Sequence, residues 1–131
     1  MQTYKVTVNE NKTVCWYNDK DQLHRLDGPA IEDVSGRKEW WVNGKLNRLD
    51  GPAIEYVDGC KIWYVKNKLH RLDGPAIEYA NGRKEWYVNG KRHRLDGPAV
   101  EYADGAKAWY VNNKQMSEKE FKAYVNRGTK I

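Results

Sequence analysis

Apolar and polar residues alternate with a period of two from Tyr4 through Val6 to Val8, break at Asn9-Glu10-Asn11-Lys12, and resume at Val14 and Trp16. That is the pattern of a strand, a turn and a returning strand. Beyond it the alternation comes in short bursts separated by Gly, Pro and Asn. The stretch from Gly74 to Arg94 is the clearest. Pro75 fixes its own φ and lacks an N–H, so it opens a strand that continues as Ala76-Ile77-Glu78-Tyr79-Ala80. Asn81-Gly82 predicts a two-residue hairpin turn, Lys84-Glu85-Trp86-Tyr87-Val88 returns, and Asn89-Gly90 makes a second reversal. With Asn81-Gly82 as the turn, Tyr79 opposes Lys84, Glu78 opposes Glu85 and Ile77 opposes Trp86. The expected core face is then Ile77, Tyr79, Lys84, Trp86 and Val88, and Ala76, Glu78, Glu85 and Tyr87 lie on the other face.

The bursts are copies of one another. Arg-Leu-Asp-Gly-Pro-Ala, followed by Ile or Val, begins at Arg25, Arg48, Arg71 and Arg94, a constant period of 23. Such a period implies stacked supersecondary units that bury their apolar sides against neighbours. All four Pro, and every one of the 11 Gly except Gly128, fall at equivalent positions. The segment from Trp16 to Arg25 imitates the later connections with one extra residue, as a terminal cap does. After Lys114 the period is lost, and Ser117-Glu118-Lys119-Glu120 is a capping box. A helix is expected from about Glu118 to Asn126, stopped by Gly128, with Phe121, Tyr124 and Val125 on one face covering the last hairpin.

The predicted architecture is therefore all-β: a meander of four 23-residue hairpin units in a single domain. Residues 1–22 form an N-terminal capping hairpin, 23–114 the repeats, and 115–131 a short C-terminal capping helix. Trp86-Tyr87-Val88-Asn89-Gly90-Lys91-Arg92-His93 with Tyr102-Ala103-Asp104-Gly105 resembles the MORN repeat family, and more closely its MORN-like variant with His-Arg-x-Asp-Gly-Pro-Ala, found in phage and bacterial proteins. The likeness covers Trp16 to Lys114. Where the usual unit has Gly-x-Gly after the His, this chain has Arg-Leu-Asp-Gly-Pro. The resemblance implies the β-meander fold and a phage-type protein that engages a host factor.

Hydrophobic content is 40% and mean hydropathy −0.96, lean for a two-layer core, so 6 Trp and 9 Tyr must supply much of the buried area. Met1 to Val8 has no apolar core of a signal peptide and no stretch is long enough to span a bilayer, which points to the cytoplasm. Cys15 and Cys60 sit at non-equivalent places and lack metal-binding spacing, so both are expected as reduced thiols. The net charge of +5, from 23 basic and 18 acidic residues, permits an anionic partner without requiring one.

Four columns of the repeat carry candidate chemistry. His24, Asn47, His70 and His93 each precede an Arg, but Asn47 breaks the column and no nucleophile lies near, so a loop role is preferred to a catalytic or metal-binding one. Arg48, Arg71 and Arg94, with Arg25, could grip phosphates, or could pair with the Asp two residues on and with Glu32, Glu55, Glu78 and Glu101. Lys61 and Lys84 belong to a ladder with Lys38 and Lys107 that attracts acidic partners or keeps strand edges soluble. Trp41, Tyr64, Tyr87 and Tyr110 form a second aromatic row, either a contact surface or a face covered by the C-terminal helix or a second subunit.

No cofactor, metal or catalytic residue is expected. The reading is a non-catalytic interaction module that binds and occludes a protein, with affinity from the second aromatic row and steering from the lysines. The alternatives are capture of a phosphorylated small molecule such as a signalling nucleotide, and a structural, homo-oligomer-forming assembly protein.

Overall fold

The computed structural model describes residues 4–129, so the first three residues of the N-terminal cap and the last two of the C-terminal cap lie outside the described residues. In chain order the strands are β1 (Lys5–Val8), β2 (Val14–Tyr17), β3 (Ile31–Glu32), β4 (Lys38–Glu39), β5 (Trp41–Val42), β6 (Lys45–Leu46), β7 (Ile54–Glu55), β8 (Lys61–Ile62), β9 (Tyr64–Val65), β10 (Lys68–Leu69), β11 (Ile77–Glu78), β12 (Lys84–Glu85), β13 (Tyr87–Val88), β14 (Lys91–Arg92), β15 (Val100–Glu101), β16 (Lys107–Val111) and β17 (Lys114–Met116), followed by helix α1 (Glu118–Thr129). The fold is all-β apart from α1. Eleven strands form an antiparallel meander in the order β1-β2-β3-β4-β7-β8-β11-β12-β15-β16-β17, and β5–β6, β9–β10 and β13–β14 make short two-stranded ribbons. Contacts divide the chain into two compact units, the first ending at Lys68 and the second starting at Leu69.

The second reversal of each repeat is the two-residue turn that the sequence predicts. Asn43-Gly44, Lys66-Asn67, Asn89-Gly90 and Asn112-Asn113 all have positive φ at both positions, the conformation of a type I′ hairpin. The first reversal is different. Gly82 N–H donates to Tyr79 O at 3.0 Å and Tyr79 N–H to Arg83 O at 2.9 Å, so the loop is three residues long, with Gly82 alone at positive φ (96°). Gly36, Gly59 and Gly105 repeat it. This is a type I turn closed by a glycine bulge. The Asn81 carboxamide accepts the Arg83 N–H at 3.0 Å, giving the bulged backbone a partner.

The extra loop residue shifts the expected register by one. Ile77 opposes Glu85 rather than Trp86, and Glu78 opposes Lys84 rather than Glu85. A one-residue slip turns the whole returning strand over, so the expected core face is corrected. In unit 1 one face of the sheet carries the row Cys15, Ile31, Glu39, Ile54 and Ile62. In unit 2 it carries Ile77, Glu85, Val100 and Ala108. These last four are buried, Glu85 to 2% exposure. The opposite face carries alternating charges: Glu32, Lys38, Glu55 and Lys61 in unit 1, and Glu78, Lys84, Glu101 and Lys107 in unit 2. By alternation the tryptophans Trp40 and Trp86 share this charged side.

In the N-terminal cap the extra residue is absorbed in a loop closed by Asn18 N–H donating to Gln22 O at 2.9 Å, with Asp21 at φ 58°. At the other end the capping box is reciprocal. Glu120 N–H donates to Ser117 Oγ at 3.1 Å and Ser117 N–H to Glu120 Oε1 at 2.9 Å. Helix α1 packs on β16 and β17, burying Phe121 and half-burying Val125, while Tyr124 stays exposed. It continues through Gly128 to Thr129. A helical glycine costs only about 1 kcal/mol, too little to end the last turn.

Candidate binding surface

Each Arg-Leu-Asp-Gly-Pro-Ala segment folds around its arginine. In unit 1 the Arg48 guanidinium stacks 3.7 Å from the Trp40 ring centroid. Its Nε donates to Asp50 Oδ1 at 3.1 Å, and its Nη1 to the Pro52 carbonyl at 3.0 Å and to Glu55 Oε2 at 2.9 Å. Arg94 repeats this in unit 2 on Trp86 (3.8 Å), Asp96 (2.8 Å), Pro98 O (3.0 Å) and Glu101 (3.0 Å). Arg71 holds Asp73, Pro75 O and Glu78, and Arg25 holds Asp27, Pro29 O and Glu32 over Trp16. The glycine leaves room for the guanidinium: a Cβ on Gly51 or Gly97 would lie 2.8 Å from the arginine Cζ, so the arginine would have to shift. The alanine at 30, 53, 76 and 99 is fully buried. Arg, Asp, Gly, Pro and Ala thus each have a structural task, and the arginines proposed to grip phosphate already hold carboxylates and a carbonyl.

The histidines hold turns. Nδ1 of His24, His70 and His93 accepts the N–H of Asn43, Asn89 and Asn112 at 2.9, 3.0 and 3.1 Å. Each acceptor fixes the first residue of the next type I′ turn. Asn47, where the column breaks, does the same with Oδ1, accepting the Lys66 N–H at 2.9 Å. A carboxamide oxygen stands in for an imidazole nitrogen because only one acceptor is needed.

The second aromatic row is half-buried throughout, and it lies on the same face as the buried Ile–Glu row, not on an outer one. Trp41 Nε1 donates to Glu39 Oε1 at 2.9 Å, and the Tyr87 hydroxyl to Glu85 Oε1 at 3.0 Å. Arg92 joins Tyr87 to Tyr110, donating Nε to the Tyr87 hydroxyl (3.0 Å), Nη1 to the Tyr110 hydroxyl (3.4 Å) and Nη2 to Glu85 (3.1 Å). Arg83 reaches the other Glu85 oxygen at 3.0 Å and lies between the Tyr79 and Tyr102 rings. Burial pushes the Tyr64 and Tyr87 hydroxyls above the ordinary phenol range. In unit 2 these long side chains gather around the buried Glu85. Lys61 and Lys84 are exposed, but Lys61 opposes Glu55, and Lys84 lies between Glu78 and Glu101.

One residue of the motif is left largely exposed. Leu26, Leu49, Leu72 and Leu95 are 61%, 82%, 79% and 50% exposed, on loop tips beside aspartates whose side chains are 72–89% exposed. In unit 1 a groove of about 500 Å³ opens between Leu26 and Leu49 over Trp40 and Val42. In unit 2 an equivalent groove of about 530 Å³ opens between Leu72 and Leu95 over Trp86 and Val88. Sequence reasoning passed over this column because a leucine in an apolar-rich repeat reads as core. The signal was its place between Arg and Asp-Gly-Pro, inside a loop.

No family model, curated protein or solved structure matches the chain. Among the described residues no helix is long and apolar enough to cross a membrane, and no group of three His, Cys, Asp or Glu side chains is arranged to hold a metal ion.

Proposed function

We propose that this protein is a non-catalytic interaction module that binds and occludes a protein partner, in the manner of a phage-type inhibitor of a host factor. The phage element follows from the resemblance of the repeat to the MORN-like variant. The main support is the use made of the histidines: each Nδ1 accepts a backbone N–H, an arrangement that fixes loops and leaves no base poised beside a nucleophile. The side chains turned outward include Leu, Asp and Lys, which suit non-covalent contact with another protein. The test is stoichiometric complex formation with a host protein, captured from host extract and followed by gel filtration. It compares wild type with the triple variant His24→Asn, His70→Asn, His93→Asn. Equal capture of the same protein by both is expected. Loss of biological effect in a triple variant of unchanged stability would overturn the proposal.

A second reading has its own support in unit 2. Two guanidiniums, Arg83 and Arg92, share one carboxylate on Glu85 among four tyrosines, a cluster with one positive charge in excess beside stacking surfaces. Capture of a phosphorylated nucleotide there would raise the melting temperature. A flat response across a nucleotide panel would remove it.

A further inference from the structure

The fold accounts for every residue of the Arg-Leu-Asp-Gly-Pro-Ala motif except leucine. Arg stacks on Trp, Asp accepts from Arg Nε, Gly leaves room for the guanidinium, the Pro carbonyl accepts from Nη1 and Ala is buried. The leucines, identical in all four copies, stand in solvent. An exposed Leu that the fold does not use, repeated beside an indole-floored groove, is a surface built for contact. Its charges are layered: the lining of each groove balances two arginines with two aspartates, and the aspartates lie outermost. The chain carries +5, yet the outermost charges on these loops are the aspartates. Asp50 and Asp96 are 89% and 86% exposed, against 22% and 19% for Arg48 and Arg94 beneath them.

We infer that each groove receives a lysine or arginine side chain from an extended, basic and apolar segment of the partner protein. The aliphatic stem lies between two leucines over the Trp floor, and the cation reaches the aspartate rim. A long cationic side chain is the one type that satisfies both parts, because its stem is apolar and its head stays in water. Within a unit, neighbouring loops are one repeat apart, two strands or about 9.6 Å, and one turn of a polyproline-II-like segment spans about the same distance, three residues at about 3.1 Å each, with every third side chain on one face. A partner segment with a basic residue at every third position and apolar residues between matches that spacing. Rim ion pairs of this kind are weak and screened by salt, so the leucines carry affinity and the aspartates set the sign of the charge.

This inference rests on the protein-binding reading above. The probe is a fluorescein-labelled 12-residue peptide of repeating Leu-Lys-Ser, with a matched Leu-Glu-Ser peptide, read by anisotropy against the full chain at 50 and 300 mM salt. The lysine peptide is expected to bind, to weaken severalfold at the higher salt, and to lose about tenfold in affinity, about 1.4 kcal/mol, in the Leu49→Ser/Leu95→Ser variant. That variant is expected to keep the wild-type urea midpoint. Preference for the glutamate peptide, equal binding by wild type and the leucine variant, or no binding of the lysine peptide would each overturn the inference. Vesicles of neutral lipid serve as a further arm, and their capture through the same leucines would assign the edge to a membrane instead. If the leucine variant still captures the host protein, the groove falls and the interaction module stands. If neither form captures one, the module itself fails.

Discussion

A single acceptor atom explains why His and Asn exchange within one column. Asn47 Oδ1 and His70 Nδ1 both receive the first N–H of a type I′ turn, so His70→Asn should shift the urea unfolding free energy by less than about 0.5 kcal/mol. His70→Leu leaves that N–H without its acceptor and should cost about 1–2 kcal/mol. The Gly column divides in the same way. At Gly97 an added Cβ meets the Arg94 guanidinium carbon and two of its nitrogens, so Gly97→Ala must shift the guanidinium on Trp86 and is expected to cost about 1–3 kcal/mol. At Gly105 nothing lies within 4 Å, but φ is +92°, and alanine there is strained by the backbone alone. These residue roles were half legible. The pairing of Arg with Asp and Glu could be foreseen from their fixed offsets. The stacking on Trp and the reason for Gly could not, because they depend on where a loop returns.

Among the elements, the two reversals show where sequence reasoning stopped. Asn-Gly favours both a two-residue type I′ turn and a three-residue turn with a glycine bulge, and this chain uses the dipeptide for each. At 89–90 both φ values are positive; at 81–82 only that of Gly82 is. One residue of loop decided whether Trp86 or Glu85 joined Ile77 on the buried face. The C-terminal helix, by contrast, was legible from four residues, since the Ser117–Glu120 capping box is local. Ser117→Ala should cost about 1 kcal/mol. The Glu120 carboxylate accepts the Ser117 N–H, which holds its pKa below the ordinary Glu value. A carboxylate depressed in the folded state contributes fully above its unfolded pKa and loses that contribution as pH falls through the folded one. Amide-exchange protection factors in α1 should therefore fall on acidification, and Glu120→Gln should flatten the response.

Across the whole molecule, the copies document more than one way of covering the same buried row. Where Glu85 sits in the buried row, Arg83 and Arg92 attend it. One repeat earlier the same three columns hold Cys60, Ile62 and Leu69. Glu85→Ala should cost about 2–3 kcal/mol by stranding two half-buried guanidiniums. The triple change Arg83→Cys, Glu85→Ile, Arg92→Leu, which copies the earlier repeat, should recover most of that loss in the same urea titration. Ion-pair columns and apolar columns are thus alternative solutions to one packing problem, and the motif arginines and the histidines all make contacts within the fold. On the proposed reading, the leucine edge is the surface left for a partner. The most direct check is the urea midpoint of Leu49→Ser/Leu95→Ser beside that of Arg48→Leu/Arg94→Leu. The leucine pair should unfold with the wild type and the arginine pair at clearly lower urea. Equal destabilisation by both pairs would mean that the leucines belong to the fold and that the edge is not a binding surface.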